Sequence, residues 1–224
     1  ESAYQRARDA FEKIGTKIIE LPSYQEHDRI TADTQAVTHV GFEAMGTAWK
    51  NMDSFPWENT TYVGGIDNVK ILMCLRIYGG KSHVYAGLAI HNPLAREQIR
   101  QYAKSESDLF GLMIQEDEHQ FRERIQKARE AVFNSRNSPV LLDDKVMGEF
   151  SLGIQPEQRT PNSHLSLLSM ADAWHQAGVN PYGNLICQTP PFRLRLGIVE
   201  YLFRNPELLE ESIKTALFDK RIRR

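Results

Sequence analysis

The residues best suited to binding chemistry lie in one stretch at positions 26–42, EHDRITADTQAVTHVGF. Thr31, Gln35 and His39 recur there at every fourth position, so on an α-helix they form a row of hydrogen-bonding side chains. A second row on the same helix is mostly apolar and suits packing. The pattern predicts a helix that starts at 28 to 31, ends near 50 and lines a substrate site. The residues of the apolar row are Ile30, Asp33, Val37, Val40, Ala44 and Ala48.

The two histidines of this stretch have separate interpretations. His27 lies between Glu26 and Asp28, whose carboxylates favour a charged imidazole, although an exposed loop histidine has the same pattern. His39 either faces a ligand or is a core histidine whose hydrogen bonds are satisfied within the protein. Twelve residues of straight helix span about 18 Å, so both side chains cannot hold one small group.

Arg193 is the most suggestive cation in the sequence. It lies in the first turn of a helix that we expect Thr189 to cap and Pro190 to begin. Backbone N–H groups and the helix dipole favour an anion at a helix start, and a guanidinium adds a fork that matches a carboxylate. The alternative is an arginine that only forms a surface ion pair.

Composition excludes several classes of protein. The chain has 224 residues and a formal net charge of −2, which argues against a general nucleic-acid binder. It has no apolar run of 18 residues and no signal-peptide pattern, so we expect a cytoplasmic protein with no membrane partner. Two cysteines, Cys74 and Cys187, cannot form a metal site by themselves, and we expect them to be reduced and no metal to be bound.

Hydrophobic periodicity predicts a mainly α fold. Residues 2–14 form an amphipathic helix and 17–21 a short strand, which together look like the last unit of an α/β domain. The run at 69–78 fits a buried helix or a strand, and its surroundings favour a helix. Further helices are predicted at 83–91, 94–102, 106–114, 115–133, 163–178, 189–204 and 206–218.

An internal repeat divides the predicted helices into two related groups. The similarity pairs His39 with His164, and each copy also contains an Asn-Pro helix break. Such copies would pack about a pseudo-twofold axis, as two protomers of a homodimer do. The matching segments are THVGFEAMGTAW (38–49) with SHLSLLSMADAW (163–174), and AIHNPLAREQIRQYA (89–103) with LFRNPELLEESIKTA (202–216).

We therefore expect four parts in the chain. Residues 1–22 are the tail of a nucleotide-binding domain, 23–133 the first helical repeat, 134–162 a proline-containing linker and 163–224 the second repeat, shortened at its end. The sequence contains no G-x-G-x-x-G loop, no Walker A loop, no C-x-x-C, no H-E-x-x-H and no G-x-S-x-G. No nucleotide-binding loop or familiar catalytic motif is therefore expected in these residues.

Several segments together resemble the C-terminal helical region of the prephenate dehydrogenase family, most closely its yeast-type, NADP-dependent branch. The similarity covers nearly the whole chain and includes an E-H-D entry, a Q-x-x-x-H helix and a T-P-x-x-R helix start. The segments that carry it are EHDRITADTQAVTH (26–39), GGIDNVKILMCLRIYGGKSHVYAGLAIHNP (64–93), NSHLSLL (162–168) and TPPFRLRLGIVEYLF (189–203).

This resemblance implies oxidative decarboxylation of prephenate to 4-hydroxyphenylpyruvate, in which a hydride passes to NADP. By position, Arg193 matches the family arginine that binds a prephenate carboxylate, and His27 matches the histidine of the E-H-D motif. Gln35 and His39 match the Q-x-x-x-H row. The family's general-base histidine and its NADP-binding loop belong to an N-terminal domain, so we expect no catalytic base and no NADP site in these 224 residues.

Other interpretations stay open at this point. The chain could be a helical interaction module with no catalytic activity, or a helical mutase or lyase that acts on a related dicarboxylate. The resemblance leaves tyrosine as a candidate inhibitor. The duplicated unit either forms a homodimer or already reproduces a dimer within one chain.

Overall fold

The structure is a computed structural model that describes residues 2–58, 64–134, 140–185 and 189–221. The prediction of a mainly α fold is confirmed, since the described ranges contain eleven α-helices and no strand. The helices are α1 (Ala3–Lys13), α2 (Tyr24–Thr31), α3 (Val37–Asn51), α4 (Gly65–Tyr78), α5 (Ser82–Tyr85), α6 (Pro93–Ile114), α7 (Glu118–Phe133), α8 (Asp144–Phe150), α9 (Leu165–Gln176), α10 (Pro190–Arg204) and α11 (Pro206–Phe218).

The predicted strand at 17–21 is wrong. Helix α1 forms as expected and ends before Gly15 at φ 76°, but the segment after it is extended and unpaired. A strand requires a neighbour for its backbone hydrogen bonds, and the described part of the chain provides none. Side chains hold this segment instead, since Arg8 Nη1 donates to Glu20 Oε1 at 2.7 Å.

Helix α1 buries none of its residues. Tyr4, Phe11 and Ile14, which we expected on its inward face, are all more than half exposed. The amphipathic pattern of α1 is therefore real, but its apolar side has no partner within the described residues.

The polar row lies on one continuous helical rod from Tyr24 to Asn51. The rod begins earlier than predicted because Ser23 caps it by accepting a hydrogen bond from the Glu26 backbone N–H at 3.2 Å. Between α2 and α3 the helix widens into a π-helical segment, Ala32–Ala36. A second π-helical segment, Ala86–His91, follows α5 and packs against the first.

Helix α9 is the centre of the fold. Each residue from Leu167 to Trp174 is buried, and the helix packs against α3, α6 and α7. A helix enclosed on all sides must be apolar or have paired polar groups. Its one buried carboxylate, Asp172, is paired with Arg124 of α7.

The predicted boundaries between repeats stay a prediction, because both groups of helices share one core. Leu109 and Phe121 from the first group lie in the same buried cluster as Trp174 and Phe203 from the second. Helix α8 lies within the segment 134–162 that we expected to be a linker.

The paired Asn-Pro sites do form matching helix starts. The side chain of Asn92 caps α6 and that of Asn205 caps α11, in each case by accepting a backbone N–H of the first turn. Pro93 and Pro206 occupy the first helical position, where the missing N–H is not needed.

None of the helices in the described ranges is both long enough and apolar enough to cross a membrane. Cys74 is buried and reduced, and its Sγ donates to the Phe42 carbonyl at 3.2 Å. Burial raises the pKa of the Cys74 thiol to about 12. Cys187 lies outside the described residues, so its redox state stays a prediction.

Candidate functional site

His39 is a buried histidine with both ring nitrogens engaged. Its Nδ1 lies 2.7 Å from the Gln35 carbonyl oxygen, one helical turn earlier. A carbonyl only accepts, so Nδ1 carries the proton and Nε2 presents a lone pair. That lone pair accepts from Nη1 of Arg195 at 2.9 Å. His39 therefore joins the Gln35 backbone on one side of the ring to a guanidinium on the other.

Arg195 is the functional candidate that sequence reasoning missed. It lies on α10 and is only 4% exposed, yet its Nε has no hydrogen-bond partner in the structure. No carboxylate of the described residues forms an ion pair with it; Glu43 attracts it only at longer range. A buried cation that lacks an anion is costly, and such a group is well suited to bind one.

The surroundings of the His39–Arg195 pair disfavour any further positive charge. Burial, followed by the charge of Arg195, lowers the pKa of His39 to about 3, so the imidazole is neutral near pH 7. Burial lowers the pKa of Arg195 to about 10, and the nearby charge of Arg76 acts in the same direction. The ring of Tyr85 lies 5.2 Å from that of His39 and covers the pair on one side.

The π-helical segment explains why the polar row is buried. Eight residues at 3.6 per turn overshoot two turns of an α-helix, whereas a wider turn takes up the excess. Thr31 and His39 are consequently both buried, at 3% and 2% exposure. Ala44 and Ala48, predicted to pack inward, are exposed. The expectation of an apolar packing row is thus wrong for its second half.

The other predicted site residues are more accessible. His27 is exposed on α2, with its Nδ1 3.1 Å from Asp28 Oδ1. Gln35 is half-buried in the π-helical segment and contacts His39 through its backbone oxygen. Arg193 is exposed in the first turn of α10, and no ion pair joins it to another described side chain. The structure therefore brings Gln35 and His39 together, but with Arg195 rather than with Arg193 or His27.

A contact between α2 and a distant loop places the start of α10 beside the histidine rod. Asn184, five residues before Thr189, donates from Nδ2 to the Ile30 carbonyl at 2.8 Å. A cavity of about 570 Å³ lies at this junction. Its polar lining includes Glu26, Arg29, Asp33, Gln98 and Asn184.

The sequence did contain a signal for Arg195. It lies three residues after Phe192 and four before Val199, so it shares the apolar face of α10 with them. Both neighbours are buried in the structure. An arginine on an apolar stripe indicates a buried charge, but the T-P-x-x-R motif drew attention to Arg193 instead.

Acid is expected to destabilise the protein through His39 and His164. Burial lowers both pKa values to about 3, below the 6.5 of an unfolded histidine. The unfolded state therefore binds more protons below pH 6.5, and stability falls as the pH falls from there towards 3. Each histidine can contribute up to about 1.4 kcal/mol per pH unit.

Urea titrations between pH 6.5 and 4.5 measure this dependence, in a range above the ordinary pKa values of carboxylates. The variant His39→Gln should flatten the slope of unfolding free energy against pH, whereas Gln126→Ala, at an exposed position on α7, should not. Equal slopes for wild type and His39→Gln would contradict the assignment of His39 as a neutral buried base.

Comparison with known proteins identifies the family. A family model that describes a 6-phosphogluconate dehydrogenase C-terminal domain matches residues 36–224. The prephenate dehydrogenase [NADP(+)] of Saccharomyces cerevisiae is 49% identical over 207 residues, which cover 88% of this chain and 46% of that protein. The probable prephenate dehydrogenase [NADP(+)] of Schizosaccharomyces pombe is 47% identical over 199 residues, covering 87% and 46%.

A more distant relative is the probable arogenate/prephenate dehydrogenase of Methanocaldococcus jannaschii, 28% identical over 94 residues, or 42% of this chain and 21% of that protein. No solved structure matches the chain. The chain spans about half the length of the two yeast relatives. The resemblance found in the sequence is confirmed: this chain belongs to the family of 6-phosphogluconate dehydrogenase C-terminal domains that the matching model describes.

Proposed function

We propose that the chain is the substrate-binding part of an NADP-dependent prephenate dehydrogenase of tyrosine biosynthesis. The observation that carries this proposal is the 49% identity to an enzyme of that name across 88% of the chain. In the proposed reaction, prephenate transfers a hydride from its ring carbinol to NADP⁺ and loses CO2. The products are 4-hydroxyphenylpyruvate, CO2 and NADPH.

The substrate carries two carboxylates and a hydroxyl, so the site requires cations and hydrogen-bonding groups. Arg193 is exposed at a helix start, where it can take one carboxylate as a bidentate partner. His27 is an exposed hydrogen-bonding side chain on the rod that Asn184 connects to the loop before α10. We propose that both contact the substrate.

Gln35 and His39 have a different part in this proposal. Since both ring nitrogens of His39 are engaged, the imidazole positions the Arg195 guanidinium more directly than it can meet a ligand. Arg195 supplies positive charge behind the site and compensates the second negative charge of the substrate. Gln35 fixes the tautomer of His39 through its backbone and leaves its side-chain amide available.

NADP has no fitting group of residues in this chain. The 224 residues include no glycine-rich dinucleotide loop, and the described ranges contain no strand on which one could be built. Within those ranges no three His, Cys, Asp or Glu side chains are grouped to hold a metal ion. No step of hydride transfer is therefore assigned to residues of this chain.

Turnover should require a nucleotide-binding domain. We expect the 224 residues alone to give no NADPH from prephenate and NADP⁺. Joined to the part of the S. cerevisiae relative that this chain does not match, they should release NADPH and 4-hydroxyphenylpyruvate in equal amounts. Formation of both products by the 224 residues alone would contradict the proposal.

Three further expectations stay predictions within it. Tyrosine is a candidate inhibitor, because it shares an aromatic ring and a carboxylate with the product. The enzyme acts in the cytoplasm, where biosynthetic dehydrogenases of this type would meet their substrates. The duplicated helical unit supports either a homodimer or a dimer-like arrangement within one chain.

A further inference from the structure

The second histidine of the internal repeat, His164, faces a cavity that the proposed reaction does not use. This cavity has a volume of about 160 Å³ and lies at the start of α4. At about 30 Å³ per water molecule, it has room for roughly five waters or one small organic ion. Its lining includes Gly64, Gly65, Ser151, Arg159, His164 and Tyr201.

His164 presents an unsatisfied polar atom there. The side chain is 4% exposed, and its Nδ1 has no hydrogen-bond partner in the structure. Asp67 Oδ1 lies 3.8 Å from Nδ1, which is beyond hydrogen-bond reach. A buried polar atom without a partner costs about 1–3 kcal/mol, so a bound ligand that satisfied it would recover that free energy.

The start of α4 is open to an anion. Gly64 and Gly65 both have positive φ, at 80° and 50°, and no side-chain hydrogen bond caps this 14-residue helix. The backbone N–H groups and positive dipole end of a helix attract negative charge. Glycine is required at both positions, because the left-handed backbone conformation is costly for other residues.

The charges near His164 add to this preference. Lys70 and Arg159 both lower the pKa of His164 after the larger effect of burial, while Asp67 opposes them. The pKa is about 3, so the ring is neutral and can donate or accept. Arg159 forms one ion pair, from Nη2 to Glu211 at 3.1 Å, and the rest of its guanidinium is free to turn towards the cavity.

Two carboxylates also line the cavity, and both are already engaged. Asp67 pairs with Lys70 Nζ at 2.8 Å and accepts from Asn162 Nδ2 at 3.1 Å. Asp144 is exposed and accepts from the Tyr201 hydroxyl at 3.0 Å. Their negative charge is thus partly neutralised, whereas His164 Nδ1 is not satisfied.

We propose that this cavity is a second binding site, distinct from the prephenate site, which takes a small carboxylate anion. The carboxylate lies between the start of α4 and Arg159, and His164 Nδ1 donates to one of its oxygens. The size of the cavity restricts the ligand to a short-chain acid and excludes prephenate itself.

Side-chain ¹H–¹⁵N NMR of the histidines tests this site with sodium acetate as the probe. The His164 signal, assigned with the variant His164→Asn, should shift saturably, and asparagine suits the test because it tolerates the positive φ of 46° at this position. Arg159→Gln should weaken acetate binding at least tenfold. The matched control is Arg122→Gln, which likewise breaks an ion pair to a glutamate of α11 and should change binding less than twofold.

Acetate binding should also be unchanged in Arg193→Ala, which separates this site from the substrate site. Methylammonium chloride should not shift the His164 signal. The proposal is overturned if acetate gives no saturable shift, if Arg159→Gln binds as wild type does, or if methylammonium binds instead. Retained His164 signals in the Arg159 variant establish that it is folded.

Discussion

Replacing Arg124 by methionine is expected to lower the free energy of unfolding by about 3–5 kcal/mol. Arg124 forms a bidentate pair with Asp172 of α9, through Nε at 2.9 Å and Nη2 at 2.8 Å. Its Nη1 also donates to Asp108 of α6 at 2.9 Å, so one side chain joins three helices. Methionine fills much of the same volume but leaves Asp172, which is 0% exposed, as an unpaired buried charge.

Urea denaturation monitored by circular dichroism gives this change directly. Arg122→Met is the matched control, two residues earlier on α7, because its ion pairs with Glu118 and Glu210 are partly exposed and each contributes about 0–1 kcal/mol. The double variant Arg124→Met with Asp172→Leu should recover much of the loss, since an apolar pair replaces the ions. A loss in Arg124→Met no larger than in Arg122→Met would contradict this account of the core.

Arg193→Ala is expected to weaken prephenate binding about tenfold to a hundredfold, which corresponds to loss of a charged hydrogen-bonded contact. The side chain is exposed and has no ion-pair partner among the described residues, so its removal should not destabilise the fold. Isothermal titration calorimetry with prephenate measures the effect.

Arg96→Ala provides the control for Arg193. Arg96 follows Pro93 on α6 at the same spacing as Arg193 follows Pro190 on α10, and it is also exposed. If the helix start alone attracted the substrate, both variants would behave alike. We expect normal binding in Arg96→Ala, and equal losses in the two variants would remove Arg193 from the site.

The helices were predictable from the sequence because their signals are local. Buried positions Phe121, Ile125, Ala128 and Val132 recur at helical spacing on α7, and all four lie in the core as expected. The apolar run at 69–78 was ambiguous by periodicity alone, and the structure confirms a helix there. Proline and asparagine likewise mark the start of α11 through short-range effects.

The site was less predictable because its contacts are long-range. Arg195 and His39 are separated by 156 positions, and nothing in either segment indicates that they meet. The π-helical segment at Ala32–Ala36 changes which side of the rod faces the core, and no residue type marks it. Both effects arise from tertiary packing, which local patterns do not encode.

The internal repeat had limited predictive value for chemistry. His39 lies inside a helix and His164 at the start of one, where its φ is 46°. One ring is satisfied by Gln35 and Arg195, whereas the other retains a free Nδ1. Equivalent sequence positions therefore serve different surroundings, and the proposed ligands differ accordingly.

The stretch 26–42 consequently has two tasks in this account. Its exposed end presents His27 to the substrate, and its buried end uses His39 to hold Arg195 in place. The predicted row of hydrogen-bonding groups exists, but its inner member acts through an arginine from α10.

The most direct measurement of the central claim is a calorimetric titration of the wild-type 224-residue chain with prephenate in the absence of nucleotide. We predict saturable binding of one prephenate per chain, with 4-hydroxyphenylpyruvate competing for the same site. A titration with no saturable heat, on protein that circular dichroism reports as helical and folded, would contradict the assignment of this chain as a substrate-binding domain.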